Sequence, residues 1–135
     1  MKQLELDNNL NPVETADDSF YHEVTINGSR HQQNKLLVKT LQQYSKSDNS
    51  RWITCILPEQ IDKQLLNASN ITPKRVQQVV SKENREIERL CIKAIDSGQS
   101  YGILAMIKRL NAKQRVRLKT AAKQSGIHCT VIVSY

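Results

Sequence analysis

The sequence predicts an α/β fold: a single three-layer domain whose mostly parallel sheet is covered by helices on both faces. Three observations predict it. From Phe20 onward, strand-like and helix-like periods alternate in the order β-α-β-α-β-α-β-α-β, the pattern of a layered α/β domain. The runs Trp52–Leu57 and Tyr101–Ile107 are apolar at successive positions, as strands buried on both faces of a parallel sheet are. Every strand-to-helix connection is short, as in parallel units with crossover helices.

Phe20–Ile26 reads as the first strand, closed by the turn pair Asn27-Gly28. Gln32–Ser45 reads as a helix, because Leu37, Thr40, Leu41 and Tyr44 recur at i, i+3, i+4 and i+7 and so share one face. Trp52–Leu57 is a buried strand. Pro58 opens a helix over Glu59–Ala68 with Ile61 and Leu65 on one side. Asn70 and Pro73 punctuate, and Arg75–Val80 is the third strand. Asn84–Ser97 carries the stripe Ile87, Leu90, Cys91, Ala94 and Ile95, with Gly98 suited to the position after the helix. Tyr101–Ile107 is the central strand. Asn111 caps a helix running to Gln124, Gly126 ends it, and Ile127–Val133 is the last strand.

The 135 residues have one domain's length, enough to bury a core without disulfides or metals. Residues 1–18 are polar and acidic and are expected to form a flexible arm, leaving 19–135 as the domain. No stretch approaches the roughly 18 apolar residues of a membrane helix. The first six residues lack the apolar core of a signal peptide. A cytoplasmic protein is expected, with no membrane partner. Cys55, Cys91 and Cys129 are odd in number and far apart, so buried thiols are expected rather than zinc or redox chemistry. The net charge of +7 is uneven: residues 1–30 hold six acids and two bases, while residues 31–135 hold eighteen bases and seven acids. A basic body suits an acidic protein face or a nucleic acid.

Chemistry is hard to find in the chain. The loop Gly28–Lys35 has one glycine, and Lys35 is followed by Leu36, so it cannot cradle phosphates as G-x-x-x-x-G-K-[ST] does. Neither a nucleotide nor any other cofactor is expected. His22, His31 and His128 lack metal-ligand spacing. Glu83, Glu86 and Glu88 fall in the first turns of a helix, where acids suit the helix dipole. The chain therefore reads as a binding protein and not an enzyme. Two features could bind. Lys108, Arg109, Lys113, Arg115, Arg117, Lys119 and Lys123 fall in sixteen residues without an acid; they form either a solvated helix face or a docking face for an anion at Lys113, Arg117 and Lys119. No aromatic residue interleaves them, which argues against single-stranded nucleic acid. The second is Ser50-Arg51-Trp52, because Arg and Trp are enriched at protein–protein hot spots; equally, Trp52 could simply start a buried strand.

The run Ser50-Arg51-Trp52, leading through an apolar strand to Pro58, resembles the SulA family of SOS-induced bacterial cell-division inhibitors. The resemblance continues through Asn67-Ala68-Ser69, Arg75-Val76, the helix ending at Gly98, the Tyr101 strand, Leu110-Asn111, Ala121-Ala122 and the final strand. Upstream, Glu23-Val24 and Gln42-Gln43 also fit, so it spans roughly residues 20–133. It implies a fold similar to RecA without the nucleotide-binding loop. It also implies binding to the tubulin-like protein FtsZ at the face bearing its T7 loop, which blocks polymerisation during the response to DNA damage. The residues it points to are Arg51, with Trp52 beside it, Ile56 where the family has Leu, and Arg75 where the family has Lys. The family's Trp in the next helix falls at Leu65, or by a one-residue shift at Leu66. The helix after Leu110 is basic here and acidic in the relative compared. FtsZ is the partner implied; a homodimer and the Lon protease stay open. Family members often carry a longer tail for Lon, and here the last strand runs close to Tyr135. The alternative function, from the basic body, is a RecA-like nucleic-acid-binding accessory of DNA repair.

Overall fold

The computed structural model describes residues 20–47 and 51–135. The expected arm, 1–18, lies outside the described residues, as does Ser50. Five strands, β1 (Tyr21–Ile26), β2 (Trp52–Leu57), β3 (Val76–Val80), β4 (Ser100–Ile107) and β5 (His128–Ser134), form one sheet in the order β1-β5-β4-β2-β3. Every pairing is parallel. Helices α1 (Arg30–Ser45) and α2 (Lys63–Ala68) pack on one face; α3 (Asn84–Ser97) and α4 (Ala112–Ser125) pack on the other. The α/β class with helices on both faces therefore holds, and the sheet is parallel throughout.

The pleat sorts the strand residues between two cores, because successive side chains point to opposite faces. Ile56, Ile103, Ala105, Ile107, Cys129 and Val131 meet Ile87, Cys91 and Ile95 of α3 and Leu118 and Ala122 of α4. Ile53, Cys55, Leu57, Leu104, Met106 and Ile132 meet Leu37, Leu41 and Tyr44 of α1 and Leu66 of α2. Each fully buried Leu or Ile contributes roughly 1.5–3 kcal/mol. All three cysteines are buried in these cores, as the sequence suggested. Burial pushes the Cys55 and Cys129 thiols up to about 12 and raises Cys91 as well, so none is a ready nucleophile at neutral pH.

Local signals set the helix ends. Ser29 caps α1 and Asn111 caps α4, each in a reciprocal pair with the glutamine three residues on, Gln32 or Gln114. Gly98 and Gly126 close α3 and α4 with φ of 71° and 65°, left-handed values that favour glycine. Two expectations are corrected. The second helix begins at Lys63, capped by Asp62, not after Pro58. Gln78 accounts for the difference: its Oε1 accepts from the Ile61 backbone N–H at 2.7 Å and its Nε2 donates to the Ile61 carbonyl at 3.1 Å, holding that stretch out of the helix. Arg75 closes a single 3-10 turn, Pro73–Arg75, and the strand starts after it at Val76.

The start of β4 is irregular. Trp52 pairs with Ser100 and Ile53 with Gly102, so Tyr101 is an extra residue in that strand. The Tyr101 ring packs on the α1 side, edge-on to Tyr44 at 83° and 6.0 Å. A side chain on Gly102 would come within 2.8 Å of the Tyr44 ring. That approach explains the glycine in the middle of a buried strand.

Candidate partner-binding interface

A parallel sheet brings all its strand starts to one edge. Here that edge carries Arg51 and Trp52 before and in β2, Arg75 before β3, Tyr101 in β4, His128 in β5 and Phe20 before β1. Trp52 is 44% exposed, a large apolar surface at the amino end of an interior strand. Beside it the rings run in sequence: Tyr101 lies 5.1 Å from His128, and His128 lies 5.0 Å from Phe20. Burial, with His22 nearby, lowers the His128 pKa, which keeps the imidazole uncharged among the rings at neutral pH. A shallow polar groove of about 540 Å³, lined by Lys39, Gln42, Lys46 and Asn70 among others, lies between the carboxyl ends of α1 and α2 on the same side. The edge combines aromatic surface with cations, which suits a protein face that is part apolar and part acidic.

Arg75 is turned inward. Its Nε donates to the Arg51 carbonyl at 3.3 Å, and one terminal nitrogen donates to the carbonyls of Ser45 and Ser47 at 3.1 and 3.2 Å. The side chain ties the end of α1 to the starts of β2 and β3. These bonds brace the strand starts and hold part of the guanidinium against backbone, at the edge where Arg75 was expected to serve as a docking cation.

Three other candidates also fall elsewhere than the resemblance implied. Ile56 is 1% exposed and lies in the core facing α3 and α4. Leu66 is 1% exposed in the opposite core. Neither offers surface to a partner; both are corrected to core residues. Leu65 is half-buried, and it lines a cleft of about 180 Å³ with Arg30, Gln33, Leu57, Pro58 and Asp62 at the carboxyl ends of the strands. It therefore sits at the other end of β2 from Arg51 and Trp52. Arg30 and Glu59 pair across that cleft. At its α1 end Ser29 Oγ accepts from the Gln32 N–H and Gln32 Oε1 from the Ser29 N–H, so the helix satisfies its own donors where a nucleotide-binding loop would offer them to phosphate.

The basic helix is partly neutralised from within. Arg115 makes a two-pronged pair with Glu23 of β1 at 2.7 and 2.9 Å, and Glu23 also accepts from the Tyr21 hydroxyl at 3.0 Å. Hydrogen bonds from Arg115 hold the Glu23 carboxyl below its ordinary pKa, and those from Arg117 do the same for Glu88. Arg117 reaches Glu88 at 2.6 Å. Lys119 Nζ stands 6.0 Å over the Tyr21 ring, and Lys113 is exposed. Among the described residues no group of three or more His, Cys, Asp or Glu could hold a metal ion, and no helix is long and apolar enough to cross a membrane.

Sequence reasoning missed Tyr101, His128 and Phe20. Each stands at or next to the first residue of its strand, so the shared edge of a parallel sheet was the signal that could have found them.

The fold is similar to that of a known protein. The crystal structure of SulA from Pseudomonas aeruginosa superposes with a TM-score of 0.74 at 21% identity, covering 87% of this chain and 99% of that one. The chain thus has a SulA-like α/β fold. No family model matches the sequence, and no curated protein matches it.

Proposed function

We propose that this chain is an inhibitor of bacterial cell division that binds FtsZ at its T7-loop assembly face and blocks polymerisation during the response to DNA damage. The observation that carries the reading is Trp52, 44% exposed beside Arg51 at the amino edge of a SulA-like sheet. An exposed Trp next to an Arg is the composition of an interface anchor, and the fold gives it no core to fill. The inhibitor acts by occupying a surface, so it needs no cofactor and no chemistry of its own. Arg51 and Trp52 supply the contact, and the half-buried rings of Tyr101 and His128 extend it. Domain 19–135 carries this surface. Sedimentation of purified FtsZ with GTP tests the reading: the chain should reduce the polymer pellet at stoichiometric ratio. An undiminished pellet refutes it.

The basic body favours a second reading, a nucleic-acid-binding accessory of DNA repair. Salt dependence separates the two. Phosphate contacts lose about 0.9 log units of affinity per phosphate per log unit of salt, whereas an aromatic-and-Arg protein interface depends on salt more weakly.

A further inference from the structure

Strand β3 closes one side of the sheet, and its outer edge is open. Among the described residues it pairs with β2 alone and stands last in the strand order. The Ser81 N–H donates to the Leu57 carbonyl at 2.9 Å, which fixes the direction of the backbone. Main-chain groups alternate along a strand, so those of Gln77 and Val79 face β2 as Ser81 does, and those of Gln78 and Val80 face away from it. The Val76 N–H is taken by the Pro73 carbonyl, while its own carbonyl joins the outward set. The outer edge thus presents the carbonyls of Val76, Gln78 and Val80 and the N–H groups of Gln78 and Val80.

Nothing within β3 blunts that edge. Its sequence, Val76-Gln77-Gln78-Val79-Val80, contains no charge and no proline, and its register with β2 is unbroken. Natural edge strands are commonly protected by charge, proline or a bulge. The edge strand on the opposite side of the sheet, β1, does carry charge, at Glu23. Val80 is 54% exposed at the end of the open edge. Two exposed lysines bracket the strand, Lys74 before it and Lys82 after it, with Glu83 next to Lys82.

We propose that β3 is a strand-addition site for an extended segment of a partner protein, one with β-branched apolar residues at its centre and a carboxylate at each end. The partner's backbone extends the ladder on Gln78 and Val80, an apolar side chain covers Val80, and the carboxylates meet Lys74 and Lys82. Charge disfavours a second copy of β3 as the occupant. Pairing over the full strand, antiparallel about Gln78, brings Lys74 of one copy to Lys82 of the other at both ends, and parallel pairing aligns identical lysines. Like charges set opposite one another destabilise a strand pair. The site needs neither Arg51 nor Trp52, so the inference does not rest on FtsZ binding.

The test uses the full chain, isotope-labelled, and a capped peptide of sequence Asp-Val-Thr-Val-Thr-Val-Glu. The peptide is added to about 1 mM, which half-saturates a site whose Kd is of that order. It should shift the backbone amide signals of Gln78 and Val80, slow their hydrogen exchange, and leave the signals of β1 in place. The same peptide with its central amides N-methylated has no donors for the ladder and should shift neither residue. Replacing both acids of the peptide by lysine should weaken binding at least about fivefold, and the double variant Lys74→Glu, Lys82→Glu should reverse that preference. No shift at Gln78 and Val80 overturns the proposal, as do equal shifts with the N-methylated peptide. Equal affinity for the acidic and lysine peptides, or a preference that the double variant leaves unreversed, overturns it too. If the same two signals shift when the protein alone is concentrated, the occupant is a second copy and the proposal fails.

Discussion

Arg75 and Arg51 meet end to side: the Arg75 Nε donates to the Arg51 main-chain carbonyl at 3.3 Å. The two arginines therefore differ in kind. Arg75 braces backbone, donating also to the carbonyls of Ser45 and Ser47, while Arg51 contributes a carbonyl to the brace. Arg75→Ala should destabilise the fold by roughly 2 kcal/mol, because backbone acceptors lose charged donors and part of the guanidinium site is buried. Arg75→Lys should recover little of that loss, since one ammonium cannot reproduce the planar fork. Thermal melts of the three proteins decide it. Equal melting temperatures for Arg75→Ala and wild type would remove the bracing role.

Gly102 is held by the Tyr44 ring. Two ring carbons would stand 2.8 Å from an added Cβ, and the Tyr44 hydroxyl is itself anchored 2.6 Å from Thr130 Oγ1. The ring has no easy retreat. Gly102→Ala should cost about 1–3 kcal/mol, the usual range for overpacking. Removing the ring with Tyr44→Leu should make the same glycine change nearly neutral. A double-mutant cycle by urea unfolding reads the coupling, and strict additivity would show that the two residues do not meet.

The Glu23–Arg115 pair makes stability depend on acid. Hydrogen bonds from Arg115 and from the Tyr21 hydroxyl lower the Glu23 pKa in the folded state. A depressed carboxyl adds stability above its unfolded pKa of about 4.3 and loses it as pH falls through the lower folded value. Arg115 is over one-third exposed, so solvent screening limits the contribution to about 1 kcal/mol, roughly 3 °C in melting temperature. Glu23→Gln should melt lower than wild type at pH 7 and converge with it in strong acid. A gap that persists unchanged at pH 2 would mean that the lost stability is packing and not charge.

The architecture was legible because periodicity reports burial directly. The bounds of β2 and α3 follow the apolar runs and the Gly98 signal residue by residue. The second helix was read four residues too early because Pro58 suits a helix start, and nothing local reveals that Gln78, seventeen residues on, claims Ile61. Ile56 carried two conflicting signals. The doubly apolar strand placed it in the core, the resemblance placed it at the interface, and the core reading prevailed. Arg75 could be located at the sheet edge but not oriented, since the carbonyls it meets come from residues 24 to 30 positions away. Tyr101 and His128 needed the strand order β5-β4-β2, which no local pattern encodes.

The last prediction separates contact from scaffold in the proposed interface. Arg51 and Trp52 stand at the exposed amino end of β2, whereas Ile56, four residues along the same strand, is sealed in the core. If the amino edge is the docking surface, Trp52→Ala and Arg51→Ala should each weaken FtsZ inhibition by at least about thirtyfold, the effect of losing a hot-spot side chain worth some 2 kcal/mol. Their folds should be nearly unchanged, because surface truncations usually stay within about 0.5 kcal/mol. Ile56→Ala should do the reverse: it opens a core cavity at a cost of about 2–5 kcal/mol and affects inhibition only through the fraction unfolded. Leu65→Ala, at the far end of β2, should leave inhibition close to wild type. The measurement is FtsZ sedimentation with GTP across a titration of each variant, with circular dichroism melts alongside. Wild-type inhibition by both Arg51→Ala and Trp52→Ala would remove this edge from the interface. Selective loss in a folded Leu65→Ala would move the interface to the carboxyl-end cleft.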